Sequence, residues 1–164
     1  MTSVIVILHY DKQHSVPRSF AMPMIDIYAP EGTFADPHAL ARDAAATVMR
    51  VEAVPEISMF RENTAAFVHE LPGAAISDVI GSSAHVRVQV LTNAGALDRA
   101  KQLAVVEQLT ALVVAASADP SLERRTWVLL TEAVPGGWGL WGKAHTNEEL
   151  VAAARAEIAS LQPG

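Results

Sequence analysis

Histidine, glutamate and arginine are the side chains that most often move protons or hold anions, and this chain of 164 residues spaces them sparsely. Its histidines, His9, His14, His38, His69, His85 and His145, share no helical i,i+4 spacing and pair with no carboxylate in a ligand pattern, so no metal site is expected. Cysteine is absent, which excludes a disulfide scaffold and a cysteine-ligated zinc or iron–sulfur centre. Gly136-Gly137 lacks the G-x-G-x-x-G order and a following helix, so nucleotide binding is not expected either. What remains is a glutamate at the end of each of two strand-like segments, Glu70 and Glu132, together with Arg61 and Arg87. The run Gly136-Gly137-Trp138-Gly139-Leu140-Trp141-Gly142, glycine interleaved with tryptophan, completes the set.

The elements that would position these residues belong to one compact domain, 51% apolar and 18% charged. Twelve basic residues stand against 18 acidic ones, a net charge of −6 without a basic cluster, which fits neither nucleic acid nor an anionic membrane. No apolar run approaches the roughly 20 residues of a membrane-spanning helix. Val4–Leu8 is too short, and too poor in preceding positive charge, for a secretory signal, so the expected compartment is the cytoplasm.

The chain repeats itself. Met24–Tyr28 reads as a strand, Ala29–Gly32 as a turn, and Asp36-Pro37 as the cap and first position of a helix running to about Val51, with Leu40, Ala44, Val48 and Val51 inward. Pro55 closes it, and Ala65–Glu70 reads as a second strand. His85–Val90 alternates polar and apolar residues, Thr92–Gly95 turns the chain, and a helix follows over about 97–116 with Leu103, Val106, Leu109 and Val113 inward. Thr126–Thr131 is the fourth strand. Gly32 and Gly95 stand 63 residues apart, and Glu70 and Glu132 stand 62 apart. Two β-α-β units, about 23–71 and 84–132, therefore predict an α+β two-layer fold: a four-stranded sheet with two helices on one face. Oligomerisation is expected to cover the other face. A last helix over 147–161 has Thr146 as its cap and Leu150, Ala154 and Ile158 inward.

Met22-Pro23-Met24-Ile25-Asp26-Ile27-Tyr28-Ala29-Pro30-Glu31-Gly32 resembles the opening of a mature tautomerase-superfamily protein, the group that includes 4-oxalocrotonate tautomerase, macrophage migration inhibitory factor and the 3-chloroacrylic acid dehalogenases. Thr131-Glu132 and Trp138–Gly142 resemble that family's strand ending and glycine-rich segment, and the doubled β-α-β order matches its longer members. The resemblance implies a homotrimer whose catalytic group is an N-terminal proline. A free prolyl nitrogen is a secondary amine that titrates near neutrality and takes a proton from carbon, whereas within a chain it is an amide with no usable lone pair. Pro23 is therefore expected to act only once residues 1–22 are absent. Translation starting at Met22, with methionine removal, would achieve that, residues 1–21 being an extension from an upstream start. The resemblance further implies Glu132 as a water-activating carboxylate and Trp138 as an apolar wall that lowers the amine's pKa.

Positions where the family carries carboxylate-clamping arginines hold Thr33, Ala65, Trp127, Asn93 and Gly95 here, which argues against dicarboxylate and haloacrylate substrates. Arg61 and Arg87 are the available substitutes. The expected function is cofactor-free proton transfer on a small carbonyl compound, over residues 23–164 as a single domain. The alternative is a non-catalytic trimer of the same fold, with Pro23 retained as an amide.

Overall fold

The computed structural model describes residues 22–161. Of the extension expected over 1–22, residues 1–21, with His9 and His14, lie outside the described residues. The elements are β1 (Met24–Pro30), α1 (Pro37–Glu52), α2 (Ser58–Asn63), β2 (Ala65–Leu71), β3 (Val86–Asn93), α3 (Arg99–Ser117), β4 (Thr126–Ala133), β5 (Trp138–Leu140), β6 (Lys143–His145) and α4 (Asn147–Leu161). The strands β2-β1-β3-β4 form one sheet, and β5 and β6 form a separate hairpin. Each repeat contributes a parallel pair, β1 with β2 and β3 with β4, while β1 and β3 run antiparallel at the centre.

Strand periodicity sets what each face carries. Ile25, Ile27 and Ala29 of β1 and Val86, Val88 and Val90 of β3 are buried, with Ile25 opposite Val90 and Ile27 opposite Val88. Leu40, Ala44 and Val48 of α1 and Val105, Leu109 and Val113 of α3 close the core from one side. The other sheet face is uncovered within the chain, with Phe67, Trp127 and Leu129 about half exposed. No described helix is long and apolar enough to cross a membrane.

The two crossover helices start alike. The carboxylate of Asp36 accepts from the Ala39 amide and that of Asp98 from the Lys101 amide, both at 2.9 Å. Thr146 and Glu149 form a reciprocal capping box at the start of α4, the Thr146 amide donating to Glu149 Oε2 at 2.9 Å and the Glu149 amide to Thr146 Oγ1 at 3.4 Å.

Three expectations need correcting. In α3, Leu103 and Val106 do not face inward but are 55% and 38% exposed, and Val105 takes the inward phase. That helix is apolar nearly all round, so its pattern does not select a face. The third strand does not end before Thr92 but runs to Asn93, because both side chains find polar partners inside the fold. The segment before the second strand contains a further helix, α2, whose first amides, those of Ser58 and Met59, donate to the Glu157 carboxylate of α4 at 2.9 and 3.2 Å. A cap supplied from 99 residues away leaves no local signal.

Both crossover helices end on an alanine in the left-handed conformation, Ala53 at φ 58° and Ala118 at φ 54°. A side chain there costs about 1 kcal/mol that glycine avoids. Ala53→Gly and Ala118→Gly are each expected to raise the free energy of unfolding by up to about 1 kcal/mol, read as a higher urea midpoint at unchanged slope.

Candidate active site

Pro23 enters the sheet at the N-terminal end of β1 and is buried. Its carbonyl accepts the Ala65 amide at 3.3 Å, tying it to β2. On the other side, the Met22 amide donates to Asn93 Oδ1 at 3.4 Å. The Asn93 side-chain amide donates to Asn147 Oδ1, and that of Asn147 to the Ala94 carbonyl, both at 3.1 Å, so the start of α4 is fastened to the end of β3.

A second apolar cluster surrounds this entry. Met22 is fully buried among Ile57, Met59 and Phe60 from the α2 region, Trp138 from β5, and Leu150, Val151 and Ala154 from α4. β5 and α4 follow the two β-α-β repeats and α2 is set between α1 and β2 of the first, and together they enclose one end of the sheet. Trp138, 4% exposed, is thus part of the wall around the residue that precedes Pro23.

One step beyond the paired residues, the registers of β1 with β2 and β3 set Pro23 between Thr64 and Thr92, and Thr92 lies opposite Glu132 on β4. Alternation places this row on the helix-covered face. Above it stands Glu52, the last residue of α1 and only 4% exposed. Thr92 Oγ1 donates to Glu52 Oε1 at 3.0 Å. Glu52 Oε2 and Thr64 Oγ1 are buried and have no hydrogen-bond partner. The Lys101 ammonium of α3 donates to the Glu52 backbone carbonyl at 2.9 Å. Burial pushes the Glu52 carboxyl up to about 7, against the opposing influence of the Thr92 hydrogen bond and the Lys101 charge.

Glu52 escapes a reading of sequence motifs, but it does leave a signal. Leu40, Ala44 and Val48 recur every four residues on the buried side of α1, and the next position in that series is Glu52, buried beside Val51, which packs against the core as its spacing suggests. A charged residue in an inward helical phase marks a buried carboxyl.

The other predicted residues are distributed unevenly. Glu132 is exposed, and its Oε1 accepts the Gly95 amide at 3.0 Å. Glu70 does the same for the Gly32 amide, also at 3.0 Å, so each repeat uses its strand-end glutamate to latch the preceding turn. Arg61 is exposed on α2 and lines an open groove of about 440 Å³ with His38, Arg42, Thr64 and Ala65, next to the Pro23 row. Arg87 lies elsewhere. It stands opposite Tyr28 at the far end of β1, on the uncovered face, 5.4 Å above the Tyr28 ring and donating to Gln89 Oε1 at 3.0 Å. Within one chain the fold therefore gathers Pro23, Trp138 and Arg61 at one end of the sheet and keeps Arg87 away. Among the described residues, no group of three or more His, Asp or Glu is placed to hold a metal ion.

The Glu52 carboxyl makes stability depend on pH in a definite direction. Folded protein keeps its proton up to about pH 7, whereas an unfolded chain loses it near 4.5. Between these values the folded state binds more protons, so stability falls as pH rises, by roughly 3 kcal/mol across the window. Urea unfolding at pH 5 and pH 8 is expected to show this loss, and Glu52→Gln to remove most of it.

No protein-family model matches the chain, and no curated protein matches it by sequence. Solved structures do. One described as a fused 4-OT wild-type symmetric trimer (Q0) superposes with a TM-score of 0.65 at 15% identity, over 77% of this chain and 98% of that one. Pt0534 inactivated by 2-oxo-3-pentynoate gives 0.64 at 18% identity over the same shares. A macrophage migration inhibitory factor-like protein from Entamoeba histolytica gives 0.58 at 14% identity, over 76% of this chain and 98% of that one.

Proposed function

We propose, on the premise that this chain has the tautomerase fold, that it catalyses cofactor-free proton transfer, a keto–enol or related isomerisation, on a small carbonyl compound. Pro23, as the first residue of the mature chain, is the base that removes the proton from carbon and the acid that returns it. The observation that carries this reading is the enclosure of the Met22-Pro23 step. A proline at the rim of a sheet needs no surrounding wall, yet α2, β5 and α4 converge on this one, and a buried carboxyl stands over the same row. Removing Met22 would leave apolar space beside the amine, bounded by Trp138, where a substrate's carbon skeleton is desolvated. Arg61, at the mouth of the neighbouring groove, is the cation that can meet a substrate carboxylate. Glu132 holds the Gly95 turn through one oxygen and keeps the other for water or substrate.

The uncovered sheet face supports a homotrimer. Phe67, Trp127 and Leu129 expose apolar area there, and several neighbouring structures are described as trimers. Arg87 belongs to that inter-subunit face. Light scattering is expected to give three times the chain mass, and Leu129→Asp to give monomers.

The catalytic test compares the full chain with a form that begins at Pro23, using phenylpyruvate-like and 2-hydroxymuconate-like substrates. Turnover is expected from the shorter form alone, and Pro23→Ala in that form should lower kcat/KM by about 100-fold or more. The alkynyl keto acid 2-oxo-3-pentynoate should add its mass to the N-terminal peptide of the shorter form, through attack by the amine. If the folded shorter form proves inert to the whole panel and to the label, the non-catalytic trimer is the correct reading.

A further inference from the structure

We infer that Glu52 is the counter-charge of the Pro23 amine: once Pro23 begins the chain, its protonated nitrogen donates to the unpartnered Oε2 of Glu52, with the Thr64 hydroxyl as the second acceptor. The inference rests on the reading of Pro23 as a free N-terminus and assigns a positioning residue to that site. Three independent features meet here. The first is geometry: Pro23, Thr64 and Thr92 form one row on the helix-covered face, and Glu52 is hydrogen-bonded into that row through Thr92.

The second is an unfilled need. A buried polar atom normally has a partner, and leaving one without costs about 1–3 kcal/mol or more when charged. Among the described residues only three buried side-chain polar atoms have none, and two of them are Thr64 Oγ1, in the Pro23 row, and Oε2 of Glu52, the residue bonded to that row through Thr92. An internal proline has no N–H to give, whereas a prolyl ammonium has two. The missing donors and the orphaned acceptors thus match in number and belong to the same row of the sheet and the carboxyl bonded to it.

The third is charge. From α3, Lys101 faces Glu52 but donates to its backbone carbonyl, not to the carboxylate. From β3 the Thr92 hydroxyl donates to it, from β2 the row residue is the uncharged Thr64, and from β4 comes the Glu132 carboxylate, exposed and tied to the Gly95 amide. A cation at Pro23 would complete the cluster.

An ammonium and a carboxylate so placed share one proton and titrate as a pair. Ionised Glu52 favours the protonated amine and raises its pKa, whereas the apolar wall around Trp138 lowers it. By reciprocity, the amine must lower the Glu52 titration by as much as Glu52 raises that of the amine.

The test is a carbon-13 NMR titration of the Glu52 side-chain carboxyl in the full chain and in the form beginning at Pro23, with circular dichroism to confirm that both fold. The midpoint should lie near 7 in the full chain and fall by at least one pH unit when Pro23 is free. In the shorter form, Glu52→Gln should lower the pH midpoint of Pro23 labelling by 2-oxo-3-pentynoate by a unit or more, a tenfold change in the amine's proton affinity, and Glu52→Asp should restore part of it. The same Glu52 midpoint in both forms overturns the inference. So does an unchanged labelling midpoint in Glu52→Gln, or loss of the fold on starting at Pro23. Coupling without turnover would uphold the pair and remove the tautomerase reading; labelling and turnover without coupling would do the reverse.

Discussion

The antiparallel pairing of β1 with β3 is the constraint on which everything else rests. Each repeat builds its own parallel pair, and only this seam joins the two into one sheet. Its inward residues, Ile25, Ile27 and Ala29 against Val86, Val88 and Val90, lie at the centre of the core. Burial of each isoleucine or valine contributes about 1.5–3 kcal/mol, so a one-residue slip of either strand would forfeit an amount comparable with the net stability of a typical domain, about 5–15 kcal/mol. The same parity decides the chemistry. It sends Pro23 and Thr92 toward the helices and Arg87 toward the uncovered face, with no freedom to exchange them.

Duplication makes the two ends of that seam equivalent in backbone but not in content. Residue 85 stands 62 positions after Pro23, the offset that relates Glu132 to Glu70. His85 is bonded to Asp78 at 2.9 Å and stacked on Trp127 at 4.6 Å. The Ser82 amide and His85 hold the Asp78 carboxyl below the usual carboxylate range. That end is knitted together by local polar contacts. The Pro23 end is enclosed by α2, β5 and α4; in the second repeat the short 3-10 turn Pro120–Arg125 stands where the first has α2, and its Arg125 donates to the Ala84 carbonyl beside His85, but β5 and α4 pack at the Pro23 end. A scaffold that could present two similar sites has invested its extra elements in one.

Glu70 and Glu132 show how repeat symmetry separates structural from chemical roles. Both are bonded through Oε1 to the amide of the glycine that turns the chain, Gly32 or Gly95, each at positive φ. A contact kept in both halves serves the shared fold. Glu52 has no such twin: the corresponding end of α3 carries Val113 inward and then apolar residues to Ser117. A buried carboxyl in only one repeat is the sign of a task that the fold does not impose.

The sequence alone determined the four strands of the main sheet in outline, the two crossover helices, the Asp36 cap and the repeat, because periodicity and capping act over a few residues and leave their mark within them. Asp36-Pro37 and Thr146 are such marks. It also singled out the Met22-Pro23 step and Trp138. Only the tertiary structure decided which face α3 buries, since a helix apolar all round acquires an inside from its neighbours. Likewise, only the folded chain placed α2 against α4, parted Arg87 from Pro23, and set Glu52 over the proline row. Each of those depends on which segments meet in space, and chain-distant partners such as Thr92 and Glu157 write nothing into the residues they hold.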